Sequence, residues 1–283
     1  MSINDDGPKV SIYISTFNRL EKLKRAIDSV FAQDYLNWEL LICDDASTDG
    51  TFEFSSELEL RDDRVRYFRN ESNKGACETR NLGIFNAKGK FITGLDDDDE
   101  FTPNRLSFFL KNWDDRYSFL CCNFKNKYLT GKEVYYYKIK KEHCIFNYKD
   151  MLFENEASNQ IFTLTERLQQ IHGFDKTVKR LQDWDTWLRL SFRYGHFVRY
   201  NVCTYIMNHD HQPSEIRVSQ NKKIADSLLS LAKRNRELYS NDEYRYMEFI
   251  VNSMKGNMFF SESLYWTYKK KNPKFIVKYF LKR

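Results

Sequence analysis

The chain has 283 residues, of which 41% are hydrophobic and 30% are charged, and its formal net charge is +5. This balance predicts a folded globular protein and excludes a disordered or collagen-like chain. No apolar run approaches the ~18 residues of a membrane-spanning helix, and the N-terminus lacks the basic and apolar regions of a signal peptide. The six cysteines form no CxxC pair, so we expect free thiols in a reducing cytosol.

The positive charge is concentrated at the C-terminal end. Residues 264–283 contain seven Lys and Arg residues and no acid. The rest of the chain therefore carries a charge of −2, since +5 minus +7 is −2. A nucleic-acid-binding protein needs a basic face on its folded body, so this function is disfavoured. A basic tail instead favours contact with an anionic surface.

The first 95 residues alternate between strand-like and helix-like segments. This alternation predicts βαβ units and a mainly parallel sheet, whose ligands gather at the carboxyl ends of the strands. Strands are predicted at residues 10–15, 38–43, 65–68 and 90–95, and helices at residues 20–31, after the Asp49-Gly50 turn, and at residues 76–87.

Beyond residue 100 the pattern is looser, and it becomes helical towards the end. The chain shows no internal repeat and no low-complexity linker. We predict a helix from Pro103 to about Trp113, strands within residues 118–140, a helix at residues 183–194, a strand at residues 202–208, and helices from residue 219 onward.

An acidic run, Asp96-Asp97-Asp98-Asp99-Glu100, follows the fourth predicted strand. Five adjacent carboxylates repel one another, so the run needs a cation or strong hydrogen-bond donors. A hard divalent cation bound by carboxylate oxygens and substrate phosphates would meet this need. The alternative is a solvated acidic turn that caps the helix near Pro103.

Four further segments hold polar residues that allow a functional and a structural interpretation. Asp44 and Asp45 could hydrogen-bond a nucleotide, or they could cap a helix. Arg80 could bind a phosphate or base, or it could be an ordinary surface arginine. Asp183 could project into a catalytic cleft, or it could be an acid stabilised by the positive N-terminal end of a helix dipole. His209 and His211 lie on the same side of a strand, where they could bind a metal, although lone histidines are more often structural.

Several well-known motifs are missing from the sequence. GxxxxGK[ST], GxGxxG, HExxH and GxSxG do not occur, so the P-loop, Rossmann, zincin and hydrolase signatures are excluded.

Taken in order, the segments resemble the family 2 glycosyltransferases of the GT-A fold, from Val10 to about Ser214. The resembling segments are VSIYISTFNR, LLICDDASTDGT, NKGACETRNLGIFNAKGKFI, LDDDDEF, HGFD followed by QDWDTWLRL, and YIMNHDHQPS. The resemblance implies an α/β fold with a Rossmann-like, mainly parallel sheet flanked by helices and a helical C-terminal extension. It places the catalytic domain at residues 1–215, with a nucleotide-binding half to about residue 100 and an acceptor-binding half after it, and the helical region at 216–283.

The resemblance also implies roles for individual residues. Asp183 would be the catalytic base. Asp98 would hold Mn²⁺ or Mg²⁺ with a histidine, His209 in preference to His211. The donor would be bound by Ser15, Phe17, Asn18, Asp45, Arg80, Asp96 and Asp97, and the acceptor side would include Phe174, Asp175 and Trp184.

Three departures from the family pattern stand out. Gln182 replaces the usual acid before the base, Phe17 stands where Tyr is common, and the late segment has two histidines. None of these removes a group that the mechanism requires.

The implied reaction is a single-displacement, inverting transfer of a sugar from a UDP-sugar to a hydroxyl of a glycan or lipid-linked acceptor. Bacterial relatives of this type build O-antigen, capsule and other surface polysaccharides. The alternatives are a nucleotidyltransferase, an inactive sugar-nucleotide binder and an acidic calcium-binding module. The loop after the first strand has no glycine and the acidic run lacks EF-hand spacing, which disfavours the first and the last.

The basic tail, residues 264–283, combines aromatic residues with lysines. In its second part Lys274, Lys278 and Lys282 recur every four residues. Tyr265, Trp266 and Tyr268 are rings of the kind that suit the headgroup region. We expect this tail to hold the enzyme peripherally on the inner face of the cell membrane. The alternatives are packing on the catalytic domain and a contact in a homodimer.

Overall fold

Apolar strands and amphipathic helices alternate along the first part of the chain. The structure is a computed structural model and describes residues 7–138, 141–157, 160–210 and 224–281. The first strand is β-branched and aromatic, and it is buried along almost its whole length, as expected for a strand covered by helices on both faces. The first helix buries Leu23, Ala26, Ile27 and Val30, which form one stripe at helical spacing.

The described residues form ten strands and ten α-helices. The strands are β1 (Val10–Thr16), β2 (Trp38–Asp44), β3 (Val65–Arg69), β4 (Phe91–Asp96), β5 (Glu100–Phe101), β6 (Leu120–Tyr128), β7 (Glu133–Tyr135), β8 (His143–Phe146), β9 (Phe162–Leu164) and β10 (Phe197–His209). The helices are α1 (Leu20–Phe31), α2 (Thr51–Arg61), α3 (Ala76–Asn86), α4 (Arg105–Asn112), α5 (Thr165–Gln170), α6 (Gln182–Tyr194), α7 (Ile224–Arg234), α8 (Asn241–Lys255), α9 (Phe260–Lys269) and α10 (Lys274–Leu281).

The strands form one sheet in the order β3-β2-β1-β4-β9-β6-β10-β5, with β7 beside β6 and β8 beside β10. The pairs within β3-β2-β1-β4 are parallel, and so is β6 with β10. The pairs that involve β5, β7, β8 and β9 are antiparallel. The predicted α/β fold is therefore confirmed, and no antiparallel pair joins two of the first four strands of the order.

Helix α3 packs closely against the sheet at Gly83. A Cβ atom at Gly83 would lie only 2.5 Å from Cβ of Tyr13 on β1. The missing side chain therefore lets α3 approach the sheet and carry Arg80 to the carboxyl ends of the strands.

The predicted elements of the first 95 residues lie within a few residues of the observed ones, as do α4, α6 and β10. Sequence analysis missed β5, β8, β9 and α5. These elements are short, with two to six residues. The three strands form by pairing with strands that are distant in the chain. Their short sequences therefore contain no periodic pattern that would predict a strand.

The chain divides into two compact units, Met1–Glu215 and Ile216–Arg283. The assignment of a nucleotide-binding and an acceptor-binding half within residues 1–215 stays a prediction. In the second unit the described residues form helices and no strand, as predicted. None of the helices in the described ranges has both the length and the apolar character needed to cross a membrane.

In the second unit, α9 and α10 pack on each other and on α8. Trp266 of α9 is 1% exposed, and its ring lies 4.8 Å from that of Tyr246 on α8. Phe275 of α10 lies 5.2 Å from Phe249 on the same helix. The prediction that Trp266 is an interfacial ring is therefore wrong, because the α8 aromatic residues cover it.

Candidate active site

The parallel strands deliver polar residues to one edge of the sheet. Thr16 is paired in register with Asp44 of β2, and Ser15 with Asp96 of β4. The opening loop, the acids after β2 and the acidic run therefore meet at the carboxyl ends of β1, β2 and β4, where the sequence predicted a ligand site.

Arg80 joins two acids that are far apart in the chain. Its Nη2 donates to Asp96 Oδ1 at 3.1 Å, and its Nη1 donates to Asp183 Oδ1 at 3.2 Å. The guanidinium is buried and lies 5.1 Å from the centre of the Phe174 ring. Three of the predicted site residues, Arg80, Asp96 and Asp183, are thus brought together by one side chain.

Asp183 lies in the first turn of α6, with its side chain 25% exposed. Burial raises the pKa of Asp183 to about 6, while the positive charge of Arg80 acts in the opposite direction and Asp96 reinforces the rise. A carboxylate with such a pKa is ionised at neutral pH and is still basic enough to accept a proton.

A second arginine, Arg19, bridges the next two acids of the run. Its Nη1 donates to Asp97 Oδ1 at 3.1 Å and to Asp98 Oδ2 at 3.2 Å. The hydroxyl of Thr16 donates to the other oxygen of Asp97 at 2.8 Å. Burial raises the pKa of Asp97 to about 6, an effect that Arg19 opposes and Asp98 strengthens.

The last two acids of the run have donors of their own. Asp99 is buried and accepts hydrogen bonds from the Tyr205 hydroxyl at 2.8 Å and from the Asn208 backbone at 2.9 Å. Burial holds the pKa of Asp99 well above its usual range. Glu100 accepts from the Asn208 amide and lies 3.8 Å from Arg25. Arginines and neutral donors therefore offset the repulsion in the run, which does not by itself require a metal ion.

Asp45 is buried and already holds a neighbouring loop. Its Oδ1 accepts from the Asn70 amide at 2.7 Å and from the Lys74 backbone at 2.8 Å, and its Oδ2 accepts from the Gly75 backbone at 2.8 Å. A carboxylate has about four acceptor sites, so Asp45 orders the loop before α3 and keeps some capacity for a ligand.

The opening loop places two predicted donor residues near this position. Asn18 has a positive φ of 51°. Its backbone donates to the Ser47 hydroxyl at 2.9 Å, and its Oδ1 accepts from the Thr48 backbone at 2.7 Å. The neighbouring Phe17 is 43% exposed. An exposed ring beside a fixed polar loop is available to a flat ligand such as a base.

The predicted histidine ligand has other contacts in the structure. His209 Nε2 lies 2.7 Å from Oδ1 of Asn126, and its ring stacks on Tyr128 at 4.8 Å. Within the described ranges, no three acids, cysteines or histidines are arranged as a metal site on their own. His211 lies outside the described residues.

The predicted acceptor-side residues are mostly internal. Phe174 and Trp184 are buried, and the Trp184 indole donates to the Met151 carbonyl at 2.6 Å. Asp175 accepts from the backbone and hydroxyl of Thr177, each at 2.8 Å. The two rings therefore support the segment that carries Asp183.

Comparison with known families identifies the family to which the chain belongs. The sequence model of Glycosyl transferase family 2 matches residues 11–179, a range that contains the acidic run and Arg80. The chain belongs to glycosyl transferase family 2.

Two relatives support the assignment to the family, and one solved structure shares the fold. A protein of Escherichia coli strain K12 that is assigned to colanic acid biosynthesis as a glycosyl transferase, WcaA, is 34% identical over 89% of this chain and 90% of its own. The E. coli UDP-Glc:α-D-GlcNAc-diphosphoundecaprenol β-1,3-glucosyltransferase WfgD is 40% identical over 46% of this chain, and the match spans about half, 52%, of that protein. The crystal structure of S. aureus TarS 1-349 in complex with UDP-GlcNAc shares the fold, with a TM-score of 0.66 at 16% identity over 97% of this chain and 79% of that one.

In this glycosyltransferase, sequence analysis missed several residues that contact the acids, among them Arg19 and Gln160. Arg19 ends the first resembling segment, and its position beside the acidic run shows only in three dimensions. Gln160 lies in a loop without any periodic pattern, and its amide donates to Asp96 Oδ1 at 3.0 Å. A Cβ atom at Gly94 would lie 2.2 Å from Gln160 Oε1, so the glycine makes room for this contact.

Proposed function

We propose that this glycosyltransferase moves one sugar from a UDP-sugar to a hydroxyl of a glycan or lipid-linked acceptor, with inversion, in the synthesis of a surface polysaccharide. The observation that carries the proposal is the Arg80 bridge, which holds Asp96 of β4 and Asp183 of α6 on one guanidinium. The bridge links the end of the strand that begins the acidic run to the helix that carries the proposed base.

Asp183 is the proposed general base. Its carboxylate takes the proton of the acceptor hydroxyl as the hydroxyl oxygen forms a bond to the anomeric carbon of the donor. The bond from that carbon to the β-phosphate oxygen breaks, and UDP leaves with the electron pair. One displacement inverts the anomeric carbon, so an α-linked donor gives a β-linked product. The name of the relative WfgD, a β-1,3-glucosyltransferase with UDP-Glc as donor, supports this stereochemistry.

The donor-binding residues are proposed at the edge formed by β1, β2 and β4. Phe17 is exposed beside Asn18 and Asp45, where its ring is accessible to the uracil base of the donor. Ser15, Asp96 and Asp97 follow on the neighbouring strands, and Arg80 supplies a positive charge between them. Phe174, Asp175 and Trp184 support the acceptor side, with the buried rings fixing the position of Asp183.

Asp98 is proposed to hold Mn²⁺ or Mg²⁺ together with His209 or His211. Asp97 Oδ1 and Asp98 Oδ2 converge on one nitrogen of Arg19. This convergence of hard oxygen donors fits a small divalent cation that takes its remaining ligands from phosphates. When bound, such an ion would neutralise the charge that develops on the departing diphosphate.

The acceptor and the location are proposed from the relatives. WfgD is named for an acceptor on diphosphoundecaprenol, and WcaA is assigned to colanic acid. A lipid-linked acceptor places the enzyme at the inner face of the cell membrane, as a cytoplasmic protein bound peripherally. Nucleic acid is not expected as a partner.

A donor screen tests the proposal. Purified protein is incubated with Mn²⁺ and a panel of UDP-sugars, with and without a glycan-diphosphate-lipid acceptor, and UDP release is measured. We expect one UDP-sugar to give acceptor-dependent UDP release and a β-linked product by NMR. Release of diphosphate from a nucleoside triphosphate and a sugar phosphate would instead identify a nucleotidyltransferase.

A further inference from the structure

Helices α9 and α10 form an antiparallel hairpin with two different faces. One face packs on α8 through Trp266 and Phe275. On the other face α9 exposes Phe260, Leu264 and Tyr268. These three residues recur every four positions and so form one stripe along the helix.

A second exposed stripe lies on α10. Val277, Phe280 and Leu281 are exposed, and their spacing of three and four residues places them on one side of the helix. The rings of Phe260 and Phe280 have centroids 6.2 Å apart, so the two stripes join. The hairpin thus carries one continuous apolar surface, which we name the hairpin face: Phe260, Leu264, Tyr268, Val277, Phe280 and Leu281.

The charge along the hairpin is mainly positive. Between Phe259 and Leu281 the chain has five lysines and one acid, Glu262. That acid is paired with Arg245 at 2.5 Å, and one of the lysines, Lys269, is paired with Asp242 of α8. Lys271 and Lys274 are exposed at the turn between the two helices. Exposed apolar patches of this kind mark interaction sites, and the lysines favour an anionic partner.

We propose that the hairpin face docks on an anionic phospholipid bilayer, with its apolar stripes at the acyl boundary and the lysines at the turn among the headgroups. An interfacial helix combines these two features, an apolar face and flanking basic residues. Aromatic rings such as Tyr268 prefer the headgroup level. The inference deepens the proposed function, on which it rests for the lipid-linked acceptor, by naming the surface that brings the enzyme to it.

Deleting the tail is a poor test, because the loss of Trp266 and Phe275 would uncover α8. Point substitutions on the hairpin face avoid this problem. Leu264 is 51% exposed and Phe280 is 63% exposed, so Leu264→Glu with Phe280→Glu leaves the packed face intact. Leu60 on α2 is 87% exposed in the other unit, and Leu60→Glu is the matched control.

The experiment is co-sedimentation of the full chain with vesicles of phosphatidylglycerol and phosphatidylcholine, and of phosphatidylcholine alone. We expect binding to the anionic vesicles, loss of at least about tenfold in affinity in the double variant because apolar burial is replaced by charge, and no loss in Leu60→Glu. Lys271→Gln with Lys274→Gln should weaken binding by about fivefold for each lysine at low salt.

Equal binding of the wild type and the double variant, or no binding of the wild type to anionic vesicles, would overturn the proposal. A dimer in sedimentation equilibrium that the double variant abolishes, without vesicle binding by the wild type, would assign the hairpin face to a second copy of the chain. UDP binding measured in the same samples separates this outcome from failure of the proposed function, since vesicle binding does not require catalysis.

Discussion

Two arginines bridge pairs of acids in the same site, and they differ in how firmly they are held. The Arg80 side chain is 11% exposed and joins Asp96 to Asp183 across the fold. The Arg19 side chain is 36% exposed and joins the neighbours Asp97 and Asp98. A buried guanidinium between distant elements fixes geometry, whereas a guanidinium with a third of its surface exposed is more easily exchanged for another cation, although its two acids are themselves mostly buried.

From this difference we propose that the two arginine bridges have different tasks. We expect the Arg80 pair to hold the base in place throughout the reaction. The Arg19 pair is the part that should rearrange when a metal ion and a diphosphate enter.

The largest effect is expected on metal-dependent UDP binding, when Asp98 of the Arg19 pair is changed. Asp98→Asn should weaken metal-dependent UDP binding at least about 100-fold, since even the outer partners of metal ligands are worth ~10–100-fold. Calorimetry with UDP and Mn²⁺ measures it, and Asp28→Asn, an exposed acid on α1, is the control. Unchanged affinity would remove Asp98 from the metal site. His209→Ala and His211→Ala in the same assay identify the histidine ligand.

The next largest effect is the pH dependence of sugar transfer, which we expect from Asp183 of the Arg80 pair. The pKa of Asp183 is raised to about 6, so protonation removes the base as the pH falls through that value. We expect kcat/KM for the acceptor, measured with saturating donor, to fall about tenfold per pH unit below this value, because kcat/KM reports groups of the enzyme before that substrate binds. Asp97 has a pKa of about 6 as well, and its protonation should appear in UDP affinity instead. A kcat/KM for the acceptor that stays flat down to pH 5 would contradict the assignment of Asp183.

The smallest effect is expected at Arg19 itself. Arg19→Gln removes the cation that would share carboxylate oxygens with a metal ion, so Mn²⁺ should bind the nucleotide-free protein up to about fivefold more tightly, the scale of a partly exposed ion pair. Titration of Mn²⁺ followed by electron paramagnetic resonance measures the change. Weaker binding would show that Arg19 supports the site rather than competes with the ion.

Sequence analysis predicted the parts of the site that have local signals. The acidic run follows a strand, Arg80 lies on a helix that begins after the Gly75 turn, and Asp183 lies in the first turn of a helix. It did not predict which acid meets which arginine, because those pairs join residues up to 103 positions apart. Gln160 gave no signal, since its loop has no periodicity. The tail was predicted to be amphipathic, but only the packing of Trp266 on α8 shows which face is left exposed.

The central claim is that Asp183 is the base held by Arg80, and one pair of variants tests it most directly. Asp183→Asn keeps the size of the side chain and removes the basic oxygen, while Asp28→Asn makes the same change at an exposed acid on α1. Sugar transfer and UDP affinity are measured for both. We predict that transfer by Asp183→Asn falls at least about 100-fold, the usual scale for a lost general base, with UDP affinity unchanged and with near-normal transfer by Asp28→Asn. A folded Asp183→Asn variant that transfers sugar at the rate of the wild type would contradict the account.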